Sequence, residues 1–181
     1  CAGQLRKAME LLDGAKRPVF LVGGGVNISR AGDLMQRFAE VTGVPVVTTI
    51  MGKGAVPVSH ELYVGNIGIH GSYAANRAVN GCDVLFSIGT RFNDRITGKA
   101  EQFAQGASII RVDIDAASVS RNVAVDVPIV ADAKDAIAAL IERARPLEIG
   151  EWRSQVSEWK RRYPMTMKKG GMTPERIIRS I

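Results

Sequence analysis

The residues able to do chemistry in this chain of 181 residues gather directly behind short apolar runs. Gly23-Gly24-Gly25 follows Pro18 to Val22, and Thr49-Ile50-Met51 closes the run that begins at Val44. Gly89-Thr90-Arg91 closes Asp83 to Gly89, Asp113-Ile114-Asp115 ends Ser108 to Asp113, and Ala131-Asp132 follows Val127 to Val130. Glycines lacking Cβ let a ligand approach the backbone, and their N–H groups near a helix start face an anion. Arginines suit phosphate, and carboxylates suit ribose hydroxyls. Together these are the parts of a nucleotide site. Each also has a plain structural reading. A Gly triplet makes a tight turn, Arg91 and Arg95 can pair with Asp94 or Asp113, and Asp113 can cap a helical turn. The joint placement carries the nucleotide reading.

Two familiar nucleotide motifs are absent. Counting from Gly23, the third glycine of G-x-G-x-x-G is replaced by Ile28, and Thr48-Thr49 stand where an acid should end the second strand. Gly52-Lys53 runs into Gly54 and Gly98-Lys99 into Ala100, so there is no P-loop. An ordinary NAD dehydrogenase or P-loop NTPase is therefore disfavoured. His60 and His70 are the only histidines, and neither lies in a zinc-ligand pattern, so no metal site is expected. No catalytic residue is assigned. His70 is read as a ligand or backbone hydrogen-bonding group rather than as a base.

The elements that must position these residues alternate between strands and helices. A helix is expected near the start, on Leu5, Ala8, Met9 and Leu12, and another from about Ser29 to a stop at Gly43. Ser72 caps a helix closed by Gly81, a short helical turn lies near Ala116 to Ser120, and Asp132 caps a helix through Ile141. Short β-branched runs alternating with helical segments predict an α/β three-layer sandwich. Its mostly parallel sheet has five or six strands, with helices on both faces. In such sheets ligands sit outside the carboxyl ends of the strands, where all the candidate residues fall. Trp152, Val156, Trp159 and Tyr163 form one stripe on a helix from about Gly150 to Tyr163, read as packing on this sheet rather than as a partner surface.

The composition, 46% hydrophobic and 23% charged, excludes global disorder. No apolar stretch reaches the roughly 18–20 residues of a membrane span. No signal peptide opens the chain. Cys1 and Cys82 form no disulfide framework, so a cytoplasmic setting is expected. The net charge of +6 comes entirely from the last part of the sequence: residues 1–142 carry 14 basic and 14 acidic side chains, and residues 143–181 carry 10 and 4. A nucleic-acid module would concentrate charge on its folded face, so no nucleic-acid or membrane partner is expected. The first residue is Cys, and Thr173-Pro174-Glu175 reads as a helix start, which points to a stretch of a longer polypeptide.

Four segments are familiar in combination: Val47 to Gly52 (VTTIMG), Gly68 to Gly71 (GIHG), Gly89 to Gly98 (GTRFNDRITG) and Asp113 to Asp115 (DID). They resemble the central domain of the acetolactate (acetohydroxyacid) synthases, thiamine-diphosphate enzymes of branched-chain amino-acid biosynthesis. The similarity runs from about Leu11 to Leu140. Two departures are mild: Asn93 stands where Asp is usual, and Ala116-Ala117 where Pro and a polar residue are common.

The resemblance implies an FAD-binding domain at residues 1–148, a helix and interdomain linker at 149–172, and the start of a next domain at 173–181. By it, Gly23, Gly24 and Gly25 approach the dinucleotide, and Thr49, Ile50 and Met51 line it. His70, Gly71, Gly89, Thr90, Arg91, Asn93 and Arg95 lie along the flavin and its phosphates. Asp113, Ile114, Ala131 and Asp132 hold the adenosine end. The flavin's role in that family is largely structural. Thiamine diphosphate and Mg2+ bind through N- and C-terminal domains that this sequence does not contain, so this stretch alone is not expected to condense pyruvate. The whole enzyme would join two pyruvates, or pyruvate and 2-oxobutyrate, with loss of carbon dioxide. It would do so as a homodimer or tetramer, with or without a regulatory small subunit. The alternatives are the equivalent domain of another thiamine-diphosphate enzyme, such as glyoxylate carboligase, and a stand-alone NAD or nucleotide-binding module.

Overall fold

A computed structural model describes residues 2–118, 122–165 and 173–180. Six strands, β1 (Pro18–Val22), β2 (Val46–Thr48), β3 (Tyr63–Asn66), β4 (Val84–Ile88), β5 (Ser108–Asp113) and β6 (Val127–Val130), form one sheet. Its order is β3-β2-β1-β4-β5-β6 and every pairing is parallel. All five residues of β1 and of β4 are buried, as strands covered on both faces must be. The α/β expectation holds, with all six strands parallel.

The helices are α1 (Ala2–Gly14), α2 (Gly24–Ile28), α3 (Gly32–Thr42), α4 (Tyr73–Gly81), α5 (Asp94–Thr97), α6 (Ala133–Ile141), α7 (Gly150–Arg162) and α8 (Pro174–Arg179). Helices α1 and α3 both pack on α6, whereas α7 packs on α4. Phe20 of β1 stacks on Phe38 of α3 at 4.7 Å between centroids, and Phe86 of β4 meets both rings edge-on at 5.7 and 5.9 Å. These three aromatics lock one helix to the middle of the sheet. The Trp stripe packs on the sheet, as expected. Trp152 is buried and its Nε1 donates to the Pro18 carbonyl at 3.0 Å, with Trp159 against it edge-on. Tyr163 stays 41% exposed, beside Tyr73. Lys160 of the same helix donates to the Tyr63 carbonyl, and burial holds its ammonium below the usual lysine range.

Three local expectations change. The helix expected from Ser29 begins only at Gly32, as α3, and a separate α2 precedes it: Ser29 ends α2, its Oγ donating to the Gly25 carbonyl at 2.9 Å, and Arg30 turns to φ 53°. The connection from Thr49 to Gly71 contains β3, whose four residues include Gly65 at φ 147° beside a register shift at Val46/Val47. A four-residue strand with a glycine in it has no alternating pattern to read. Strand β2 is three residues, shorter than Val44 to Thr49. The turn near Ala116 to Ser120 is described only to Ser118, and the linker from 166 to 172 lies outside the described residues.

Ser72 caps α4, its Oγ accepting from the Ala75 N–H at 3.1 Å. The Oγ sits only 2.3 Å from where a Cβ on Gly65 would be, so β3 needs glycine there to admit the cap. Ser72→Ala is expected to cost about 1 kcal/mol, read as a lowered urea midpoint with an unchanged slope. An unshifted midpoint would remove the cap from the account. Cys82 is buried, and burial pushes its thiol up to about 12, so it stays protonated near neutrality and is no nucleophile. Among the described residues no helix is long and apolar enough to cross a membrane.

Candidate functional site

The strand order reverses between β1 and β4, so the connections leaving these two strands diverge and open a crevice at their carboxyl ends. The backbones there touch. The Gly23 N–H donates to the Ile88 carbonyl at 2.9 Å and the Gly25 N–H to the Gly89 carbonyl at 3.0 Å. A Cβ on Gly23 would lie 2.2 Å from the Gly89 oxygen, and one on Gly25 2.7 Å from the Gly89 Cα. Gly89 itself takes φ 61°, which glycine adopts without strain. The triplet thus serves close approach of two strand ends. Two of its three N–H groups are committed to the end of β4 rather than held for an anion.

Beyond this contact lies a groove of about 650 Å³, within the roughly 300–1,000 Å³ of small-molecule sites. Its wall between β1 and β4 is formed by Gly25, Gly89 and Thr90, and its mouth by Arg91 and Asn93. The far wall comes from β5, β6 and α6: Asp113, Ile114, Ala131 and Asp132. Thr90 is buried and its Oγ1 donates to the Leu21 carbonyl at 3.3 Å, whereas Arg91 is exposed. Asn93 caps α5 through Oδ1 and the Ile96 N–H at 3.2 Å, and Asp132 caps α6 through Oδ1 and the Lys134 N–H at 2.8 Å. Asp113 is paired with Arg111 at 2.6 Å. It is Arg111, and neither Arg91 nor Arg95, that takes this carboxylate among the ion pairs of the described residues.

The other candidates lie along the same sheet edge but outside this groove. Thr49 accepts the Gly52 N–H at 3.1 Å and so caps a 3-10 turn over Ile50–Gly52. Gly24 faces that turn, where an added Cβ would be 3.0 Å from the Met51 Cβ. Gly71 folds the His70 loop so tightly that a Cβ would fall 2.4 Å from the Asn66 carbonyl oxygen. The loop is tied to α5, the Ile69 N–H donating to the Arg95 carbonyl at 3.2 Å. His70 is exposed there and Arg95 lies beside it, while Ile50, Met51 and Ile69 are also exposed. One edge therefore carries two surfaces, an apolar one behind β2 and β3 and a carboxylate-lined one behind β5 and β6.

Further groove residues escaped the sequence reading: Ile28, Phe92, Arg111, Ser118 and Asn122. Arg111 left a trace, a lone charge inside the apolar run of β5. Phe92 lay within the familiar GTRFNDRITG segment without being assigned a role, and Ile28, Ser118 and Asn122 gave none, because their place depends on how the connections fold over the sheet edge. His60 lies away from the groove. It hydrogen-bonds Glu40 of α3 at 3.1 Å, and bonds from Gln36 and His60 hold that carboxyl below its usual range. Among the described residues no group of three or more His, Cys, Asp or Glu side chains is placed to hold a metal ion.

Comparison with known proteins gives a consistent family. The thiamine pyrophosphate enzyme, central domain, matches residues 5–140. A probable acetolactate synthase large subunit of Methanocaldococcus jannaschii is 47% identical over 161 residues, covering 87% of this chain and 27% of the relative. The acetolactate synthase of Mycobacterium avium is 40% identical over 187 residues, covering 98% of this chain and 30% of its own length. The acetolactate synthase large subunit of Corynebacterium glutamicum is 44% identical over 168 residues, covering 90% and 27%. The chain spans less than a third of the length of the curated relatives it matches.

Proposed function

Because this chain belongs to the thiamine pyrophosphate enzymes, as a central domain, we propose that it is the FAD-binding domain of a cytoplasmic acetolactate synthase large subunit. The observation that carries the reading is the two-part edge. A groove with carboxylates along one wall, glycines along the other and Arg91 at its mouth lies beside an exposed apolar stretch at Ile50, Met51 and Ile69. FAD has the matching parts: a ribose diol, a diphosphate and a flat, largely apolar ring. The relatives in three organisms, each named as an acetolactate synthase, support the same assignment.

In this arrangement Asp113 and Asp132 accept the ribose hydroxyls, with Ile114 and Ala131 against the adenine. Gly25, Gly89, Thr90 and Arg91 border the diphosphate. Gly23 and Gly24 hold the strand ends that shape the wall, and Asn93 fixes α5. Thr49, Ile50, Met51, His70, Gly71 and Arg95 lie along the ring. Joining two pyruvates with loss of carbon dioxide leaves no net oxidation, so FAD bound here serves a structural role. Thiamine diphosphate and Mg2+ bind through the other domains of the polypeptide, which works as a homodimer or tetramer with or without a regulatory subunit.

The test is calorimetric titration of the full polypeptide with FAD, with NAD and ADP as controls, beside an assay of acetolactate formation from pyruvate. Saturation near one FAD per chain, with NAD silent and acetolactate formed, is expected. Binding of NAD without FAD would replace this reading with a stand-alone nucleotide module. FAD binding without pyruvate condensation would move the chain to another thiamine enzyme such as glyoxylate carboligase. Arg91→Ala, which removes the cation at the groove mouth, is expected to weaken FAD roughly tenfold. Unchanged affinity would take Arg91 out of the site.

A further inference from the structure

Among the described residues, Arg111 is the one groove-wall residue that is both charged and buried: 2% of its side chain is exposed, between the buried Ile110 and Val112 of β5. A guanidinium so placed must find partners, since an unpaired buried charge costs several kcal/mol. Among the described residues its partners include three segments of the groove. Nη2 donates to Asp113 Oδ2 at 2.6 Å, at the end of β5. Nη1 donates to the Ser118 carbonyl at 2.8 Å, in the connection beyond that strand. The guanidinium carbon lies 4.9 Å from the centre of the Phe92 ring, in the connection leaving β4. Asn122 closes the assembly by donating to the Phe92 carbonyl at 2.5 Å.

We propose that Arg111 is a positioning residue for nucleotide binding, a buried latch that fixes Asp113 to receive the ribose diol of an adenine nucleotide. This rests on the reading of the groove as a dinucleotide site. A carboxylate has about four lone-pair sites on two oxygens. Arg111 takes Oδ2, with the Ser118 hydroxyl 3.3 Å from the same oxygen, and the Asp115 N–H takes Oδ1 at 3.1 Å. The carboxylate is thereby held in one rotamer, with acceptor capacity left over beside the groove it lines. A vicinal diol offers two O–H donors to such a group, whereas a phosphate offers none and would be repelled. Lysine cannot replace the latch, because a point ammonium lacks the planar fork that reaches a carboxylate and a carbonyl while lying over a ring.

The test is calorimetry on the full polypeptide with ADP and with 2′,3′-dideoxy-ADP, in the unchanged protein, Arg111→Lys and Arg111→Met. The unchanged protein is expected to prefer ADP about tenfold, the worth of one charge-assisted hydrogen bond. In both variants the preference is expected to fall to within about twofold, even where the melting temperature is retained. A general loosening of the fold would weaken both ligands equally and leave their ratio alone. A variant that does not fold is replaced by Phe92→Leu, which removes the ring beneath the guanidinium and is expected to shrink the same ratio. A preference that persists in the folded variants overturns the latch. So does an unchanged protein that binds ADP and dideoxy-ADP alike. FAD titration separates the two claims. FAD binding with an insensitive diol preference leaves the flavin reading standing and the latch refuted. A latch-dependent diol preference without FAD binding does the reverse.

Discussion

Asp113→Ala is expected to lower the stability of the folded protein by about 3–5 kcal/mol, the range measured when one partner of a buried ion pair is removed. The side chain of Arg111 is 2% exposed and that of Asp113 12%, with 2.6 Å between them, so removing the carboxylate leaves a buried guanidinium without its ion-pair partner. The Ser118 carbonyl and the Phe92 face remain as partners, which places the expected loss toward the lower end. For a chain of this size that is a fall in melting temperature of roughly 6–12 °C. The same substitution removes the acceptor proposed for the ribose, so FAD affinity is expected to fall with it. The double variant Arg111→Met with Asp113→Leu separates the two effects. It leaves no buried charge and is expected to regain most of the stability while nucleotide binding stays lost. A single variant that melts with the unchanged protein would show that the pair is solvated and the burial argument wrong.

Gly23→Ala is expected to be among the most damaging single methyl groups at the carboxyl edge of the sheet. Its backbone, at φ −108° and ψ −175°, suits any residue, so the cost is purely steric. The added Cβ would sit 2.2 Å from the Gly89 oxygen, 2.7 Å from the Gly89 carbonyl carbon and 2.7 Å from the Thr90 Cα. All three are backbone atoms of the neighbouring chain segment and cannot rotate away. Relief requires the ends of β1 and β4 to part, which breaks the hydrogen bond from the Gly23 N–H to the Ile88 carbonyl. Overpacking costs about 1–3 kcal/mol and occasionally more, and with a backbone bond lost the upper end is expected. Urea denaturation against Gly106→Ala supplies the control, since nothing lies within 4 Å of a Cβ at Gly106. Equal midpoints for the two variants would mean that the crevice is looser than the contacts indicate.

Whether an element is legible in the amino-acid order depends on how locally it is encoded. Strands β1, β5 and β6 announce themselves with the bounds observed: β1, buried at all five positions, is a continuous apolar run, and β5 and β6 are short β-branched runs even though Val130 of β6 is 47% exposed. Ser72 and Asp132 announce helix starts, and Gly43 at φ 75° a helix end, because capping is a matter of one side chain and the next turn. Strand β3 is hidden. Its identity as a strand comes from pairing with β2 across a register shift, and Gly65 and Asn66 have no strand preference of their own.

The site divides the same way. Taking the residues at the carboxyl end of each strand brings Gly25, Gly89, Thr90, Arg91, Asp113, Ile114, Asp115, Ala131 and Asp132 to the walls of one groove. That placement is topological, since parallel strands all end on the same edge. The amino-acid order thus determined the sheet, its caps and the edge on which these residues gather, all of them local or periodic properties of the chain. Only the tertiary structure decided how those residues are used. It turned the N–H groups of Gly23 and Gly25 toward the end of β4, gave Asp113 to Arg111 rather than to Arg91 or Arg95, and drew Phe92, Ser118 and Asn122 into the wall. Which partner a buried charge takes depends on segments far apart in sequence meeting within a few ångströms, and no spacing along the chain encodes that distance.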